Sequence, residues 1–194
     1  MCIRDSLTSD FESLVKETKV LNPDVLAITG HLPESISAVK DLRRMGLTPK
    51  AIVFSVGPGF PQFAQQLGSA SENLSGASMW SHSQTSFGHD RYILPQNFAD
   101  HFFDRFSKKV SYLAAGAFAC GLVYEEAIRR ANSVDPSMVI KALSKPDFTF
   151  ETFYSRIEFN RKGLNINRPL LTVQLQSDGK DVRQVALWPP RVGK

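Results

Sequence analysis

The apolar positions of this chain change spacing repeatedly along its length, and each change marks a new element. Phe11, Leu14, Val15 and Thr18 recur at helical intervals. Ser9 and Glu12 stand ahead of and within that stripe as a capping box, and Pro23 ends the helix. Asp24 to Thr29 is a short run that is apolar on both faces, closed by Gly30, which predicts a buried parallel strand. Ile36, Val39, Leu42 and Met45 form the stripe of a second helix, with Pro33 in its first turn and Gly46 at its end. Ala51 to Val56 predicts a second buried strand, followed by Gly57-Pro58-Gly59 and a short helix from Pro61 to Leu67. Leu74 to Trp80 predicts a third strand. Alternating helices and strands imply an α/β layer whose parallel strands lie side by side through right-handed crossovers.

A polar loop from Ser81 leads to Pro95, where a helix carrying Phe98, Phe102, Phe103 and Phe106 begins. The helical spacing of Phe98, Phe102 and Phe106 predicts a core stripe. A longer helix is expected from about Ser111 to Ala131. Its first half is rich in small residues, Ala114 to Gly121, which predicts deep burial. Asp135-Pro136 reads as an N-cap and first-turn proline, and Val139, Ile140 and Leu143 carry the helix beyond it. The period then becomes two. Arg156 to Phe159 alternates, Asn160 to Gly163 turns, and Leu171, Val173 and Leu175 share one face. Ser177 to Lys180 is a hairpin turn, with Val182, Val185 and Leu187 beyond it.

Composition narrows the function classes. Hydrophobic residues make up 42% and charged residues 22%, the balance of a globular chain. No apolar stretch approaches the roughly 20 residues that a membrane span needs. The net charge is +4, and its excess lies near the C-terminus, spread from Arg156 to Lys194 without a compact basic run, so nucleic-acid binding is not expected. Two cysteines exclude a disulfide framework and a cysteine zinc site. The histidines His31, His82, His89 and His101 include no metal-binding helical pair, and neither a metal nor a cofactor is expected. His82 and His89 flank a serine-rich loop and read as exposed. Cys120 reads as a small buried hydrophobe. Adjacent Glu125 and Glu126 point to different parts of a helix surface and form no carboxylate dyad. No Gly-x-Ser-x-Gly elbow is present, so the residues offer no catalytic constellation.

Ligands of open α/β sheets bind beyond the carboxyl ends of the strands. This selects Gly30-His31-Leu32-Pro33-Glu34 and Gly57-Pro58-Gly59-Phe60, each joining a strand to a helix N-terminus suited to an anion. Glycine and proline are also ordinary in such loops, and both readings stay open. Trp80 and Tyr112 lie where regular elements meet loops, positions that suit a pocket wall or core packing equally.

Taken in order, Asn22-Pro23-Asp24-Val25-Leu26, Gly30 to Glu34, Leu42-Arg43-Arg44-Met45-Gly46 and Phe54-Ser55-Val56-Gly57-Pro58 resemble the second lobe of branched-chain amino-acid and amide substrate-binding proteins of ABC transporters. Gly76 to Trp80, Ala114 to Ala131, Ile157-Glu158-Phe159-Asn160, Gly163 and Val173-Gln174-Leu175 continue it. The resemblance implies a partial periplasmic-binding-protein-like type I fold. Residues 9–94 would be the α/β part of lobe two, 95–150 helices packing on lobe one, and 151–194 strands returning to lobe two. Met1 to Ser6 resembles a translated sequencing-adapter tract, so residues 1–8 are expected to be an artefactual or disordered leader on a fragment.

The same resemblance implies an extracytoplasmic receptor that holds a small amino-acid-like, amide or organic-acid ligand between two lobes. Such a receptor delivers its ligand to ABC permease subunits, without catalysis, nucleic acid or direct membrane insertion. His31, Leu32, Gly57, Pro58, Gly59, Phe60, Trp80 and Tyr112 are the expected ligand-facing residues. Amino-acid binders of this kind carry a glutamate for the ligand ammonium in the second of these loops. Here Gly59, or Pro58 if shifted by one, stands in its place. A two-lobed ligand-sensing regulatory module is the alternative, and a fragment of an α/β hydrolase a more remote one.

Overall fold

A computed structural model describes residues 11–84, 94–167 and 170–189. The chain divides into two compact units: one runs to Ser81 and resumes at Leu171, and the other lies between. Ser9 of the expected capping box falls outside the described residues. Glu12 binds Lys16 at 2.8 Å and Arg44 at 3.0 Å, which ties the first helix to the second.

The first unit is a five-stranded sheet ordered β1-β2-β3-β6-β7. Its strands are β1 (Val25–Ile28), β2 (Ala51–Phe54), β3 (Ser75–Ser78), β6 (Leu171–Ser177) and β7 (Val182–Trp188). The first three run parallel, in chain order, joined by α2 (Leu32–Arg44) and by α3 (Pro61–Leu67) with a 3-10 turn at Gly68–Ser71. β6 pairs antiparallel with β3 and continues through a tight turn into β7. Thus the expected α/β order, the third strand and the terminal hairpin are all present.

Two successive right-handed steps in one direction put α2 and α3 on one face of the sheet, and α1 (Phe11–Leu21) joins them there. Leu26, Ile28, Ile52, Phe54 and Leu175 from the strands close against Phe11, Val15, Ile36, Val39, Leu42 and Phe63 from the helices. The Phe54 and Phe63 rings meet edge to face at 5.4 Å, the arrangement that the ring quadrupole favours. The opposite face departs from the expectation. β1 and β2 are apolar on both faces, yet Val25 is 54% exposed and Val53 39%. All three helices lie on the other side, so the chain's own described elements cover only one face of these strands.

The second unit holds α4 (Pro95–Phe106), α5 (Tyr112–Ala131), α6 (Pro136–Leu143) and a small hairpin of β4 (Thr149–Glu151) with β5 (Arg156–Glu158). Asp135 caps α6 by accepting from the amides of Ser137 and Met138, as its sequence suggests. β4 and β5 pair with each other and not with the five-stranded sheet. Their apolar side packs on the helices: Phe148 and Ile157 bury against Ala127 and Val139. The terminal β-segment therefore splits: Ile157 and Phe159 have their apolar partners on α5 and α6, while Leu171 onward pairs into the five-stranded sheet. Arg130 fastens this unit. Its guanidinium pairs with Glu126 at 2.6 Å and donates to the Thr149 carbonyl at 2.8 Å. It also lies 4.7 Å from the Phe148 ring centroid.

Three expectations for these helices change. Of the phenylalanine stripe, Phe98 is buried and stacks on Phe153 at 4.1 Å, while Phe106 is exposed. The small-residue half of α5 is buried only on the side of Ala115 and Ala119. Cys120 is exposed, because it stands on the opposite side of the same helix. A substitution at the centre of the first unit tests the packing. Phe54→Ala is expected to cost about 3–5 kcal/mol, read as a lower urea midpoint at unchanged slope.

Candidate functional site

β1 and β2 end side by side, so the two loops selected from sequence lie together at the carboxyl edge of the sheet. Three hydrogen bonds fix their register. The Ser55 amide donates to the Ile28 carbonyl at 3.0 Å, the Gly30 amide to Ser55 Oγ at 3.3 Å, and Ser35 Oγ to the Val56 carbonyl at 2.7 Å. Ser35 is wholly buried, so its hydroxyl spans the loops from inside. Sequence reasoning passed over both serines. Their recurrence one residue past the second strand and one turn into α2 was the available signal.

His31 is the N-cap residue of α2, in extended backbone conformation and exposed. Its side chain makes no capping bond, while its carbonyl accepts from the Ser35 amide at 3.0 Å. Leu32 and Phe60, the residues flanking the two helix starts, are half-buried. Thr29, Pro33 and Ser55 are also exposed along this edge, and Glu34 is half-buried.

Gly57, Pro58 and Gly59 are buried. Gly57 has φ +144°, and a Cβ there would lie 2.8 Å from the Phe63 ring; both the conformation and the ring require glycine. The Phe60 amide closes a turn onto the Gly57 carbonyl at 2.8 Å. Gln184 of β7 donates to the Pro58 carbonyl at 2.9 Å. The segment is a packed turn that sets the position of Phe60, with its backbone groups directed into the fold.

Trp80 comes after β3 and is only 2% exposed. Ser78 Oγ donates to its carbonyl at 2.7 Å. Tyr112 belongs to the second unit, where it opens α5. It is half-buried, and burial pushes its phenol above the ordinary value. Ser111 caps that helix by accepting from the Ala114 amide at 3.2 Å.

Among the described residues, no group of three His, Cys, Asp or Glu side chains could hold a metal ion. No described helix is long and apolar enough to cross a membrane. His89 lies outside the described residues. His82, expected to be exposed, is half-buried. Its pKa is lowered by burial and, to a lesser extent, by Lys109, against a smaller opposite pull from Asp100. The imidazole is thus held neutral where an unfolded chain would take a proton.

The sequence profile of the periplasmic binding protein family matches residues 5–180. This chain belongs to the periplasmic binding protein family. Solved structures agree on the type I fold. A leucine binding protein from Thermotoga maritima is 21% identical with a TM-score of 0.69, covering 96% of this chain and 51% of its own. A branched-chain amino acid transporter substrate binding protein from Streptococcus pneumoniae, in complex with isoleucine, is 18% identical with a TM-score of 0.72, at 95% and 50%. An ABC-transporter solute binding protein from Rhodopseudomonas palustris, in complex with 3,4-dihydroxy benzoic acid, is 14% identical with a TM-score of 0.68, at 92% and 48%. This periplasmic binding protein chain spans about half the length of the solved structures it matches.

The His82 environment has a pH consequence. With the folded pKa below the unfolded value of about 6.5, the unfolded chain binds more protons in the window between them. Stability is therefore present in full above about pH 6.5 and falls as pH drops through that window. Denaturant titrations across pH 5–7.5 are expected to show a shallower fall for His82→Asn than for the parent chain.

Proposed function

We propose that the full-length protein is an extracytoplasmic solute-binding receptor of an ABC importer. The observation that carries this reading is the pair of strand-end loops, cross-tied by Ser35 and Ser55, which present His31, Leu32 and Phe60 at the carboxyl edge of a periplasmic-binding sheet. Family membership supports the class. The solved neighbours with leucine-binding, isoleucine-bound and dihydroxybenzoate-bound descriptions support a small organic solute. In this reading the receptor does no chemistry. A solute held between two lobes stabilises the closed form by its differential affinity, and the closed receptor delivers it to membrane permease subunits.

The first unit then corresponds to lobe two, and the helices of the second unit present a surface to lobe one. Support for the latter comes from α5. Leu113, Ala117, Cys120, Gly121 and Tyr124 recur at helical spacing and are all exposed, with Leu113 at 60% and Tyr124 at 53%. Small residues between two larger apolar ones let another element approach closely. Tyr112, Gly57, Pro58, Gly59 and Trp80 remain proposed site residues. The buried turn and Trp80 act by positioning, and His31, Leu32 and Phe60 by contact.

Two measurements check the proposal. Thermal shift of the full-length receptor over amino acids, aliphatic amides and aromatic acids is expected to give a concentration-dependent rise with at least one solute; a flat response to all of them contradicts the receptor reading. Ala117→Arg is expected to destabilise the full-length protein by about 1–3 kcal/mol while leaving this 194-residue chain unchanged. Equal loss in both places Ala117 in a core of the second unit alone.

A further inference from the structure

The five-stranded sheet has a second face, opposite α2 and α3, and its two halves differ in chemistry. On β1 and β2 this face carries Val25, Ala27, Ala51 and Val53. Val25, Ala51 and Val53 are exposed and Ala27 is half-buried. Val25 lies beside Ala51, and Ala27 beside Val53. The strip is therefore raised at two valines on one diagonal and hollow at two alanines on the other. From β3 onward the same face turns polar. Ser75 follows Val53 in register, and Gln174 follows Ser75. Gln174 Nε2 donates to Ser75 Oγ at 3.3 Å, and Gln176 Nε2 donates to Gln174 Oε1 at 3.0 Å. These side chains satisfy one another along the sheet and need no cover.

The apolar half does need cover, as parallel strands that are apolar on both sides are buried on both. Two strands about 4.8 Å apart present a strip roughly 10 Å wide, which is the width of one helix. The alanines between the valines let a helix come close. A second copy of the chain suits this strip poorly. A stable interface between folded proteins buries on the order of 1,200 Å² or more in total, and four Val and Ala side chains offer a small part of that. A segment of the same chain has no such requirement, because its tether holds it near the surface. This chain spans about half the length of the solved structures it matches, so the remainder of the receptor is long enough to supply the segment.

We propose that a helix from the part of the receptor chain outside residues 1–194 packs on β1 and β2, over Val25, Ala27, Ala51 and Val53. Its contact ends at β3, where the Ser75, Gln174 and Gln176 side chains face solvent. The inference goes beyond the solute site. It takes from the receptor reading only that these 194 residues belong to a longer chain.

Single cysteines placed in the full-length receptor, in a cysteine-free background, read the cover directly. Val53→Cys is expected to react with a maleimide at least about tenfold more slowly than Gln176→Cys in the folded protein, because a covered site reacts only when it opens. Ala51→Cys gives the same reading if Val53→Cys does not fold. Equal rates overturn the proposal. Protection that disappears on dilution, together with a dimer in sedimentation, also overturns it and makes a second copy the occupant. p-Benzoylphenylalanine placed at Val25 identifies what lies against the strip. Cross-links to the receptor's own chain outside residues 1–194, at positions three or four apart, support the helix, and cross-links within residues 1–194 overturn it. Solute-induced thermal shift of the same variants reports on the receptor reading separately. A receptor that responds to solute while Val53→Cys reacts freely loses this inference alone.

Discussion

Right-handed crossovers between parallel strands constrain the core and the site of the first unit alike. β1, β2 and β3 advance across the sheet in one direction, so α2 and α3 land on one face. That face becomes the core, and Leu26, Ile28, Ile52 and Phe54 meet Val39, Leu42 and Phe63 there. The same advance brings every strand-to-helix loop to one edge. The site is therefore a consequence of chain direction and handedness before any particular side chain is considered.

Small polar and small apolar residues then convert that edge into a defined surface. The hydroxyls of Ser35 and Ser55 bridge adjacent loops at 2.7 Å and 3.3 Å. Gly57 admits the Phe63 ring, and Gly59 admits the backbone of β3. The turn between them has little freedom, so Phe60 emerges at a fixed place while its neighbours are buried.

The second unit is organised by a different device. Arg130 joins α5 to the chain entering β4 through a carboxylate, two carbonyls and an aromatic face. Its guanidinium geometry satisfies several acceptors at once, which lets a small β-hairpin pack against two helices. One side of α5 is used in this way, and the other side keeps its small and apolar residues at the surface.

Much of this architecture was legible in the sequence. Local periodicity and turn chemistry carried the order of helices and strands, the Asp135 cap, the Pro61 start of α3 and the β6–β7 turn, because each depends on residues within a few positions of one another. The loops at His31 and at Gly57 were legible for the same reason, as glycine and proline mark the end of a strand. Tertiary structure alone decided which apolar faces were covered. Val53 and Cys120 look like core residues in sequence, yet are exposed because no described element packs on their side. It also decided that Phe148, Ile157 and Phe159 pack with α5 and α6 while Leu171 onward joins the sheet. Likewise, only the fold showed that Gly57 to Gly59 are buried while Thr29, His31 and Ser55 are exposed and Leu32 and Phe60 half-buried. Covering, pairing and burial depend on partners distant in the chain, and a local pattern of residues carries no record of where those partners lie.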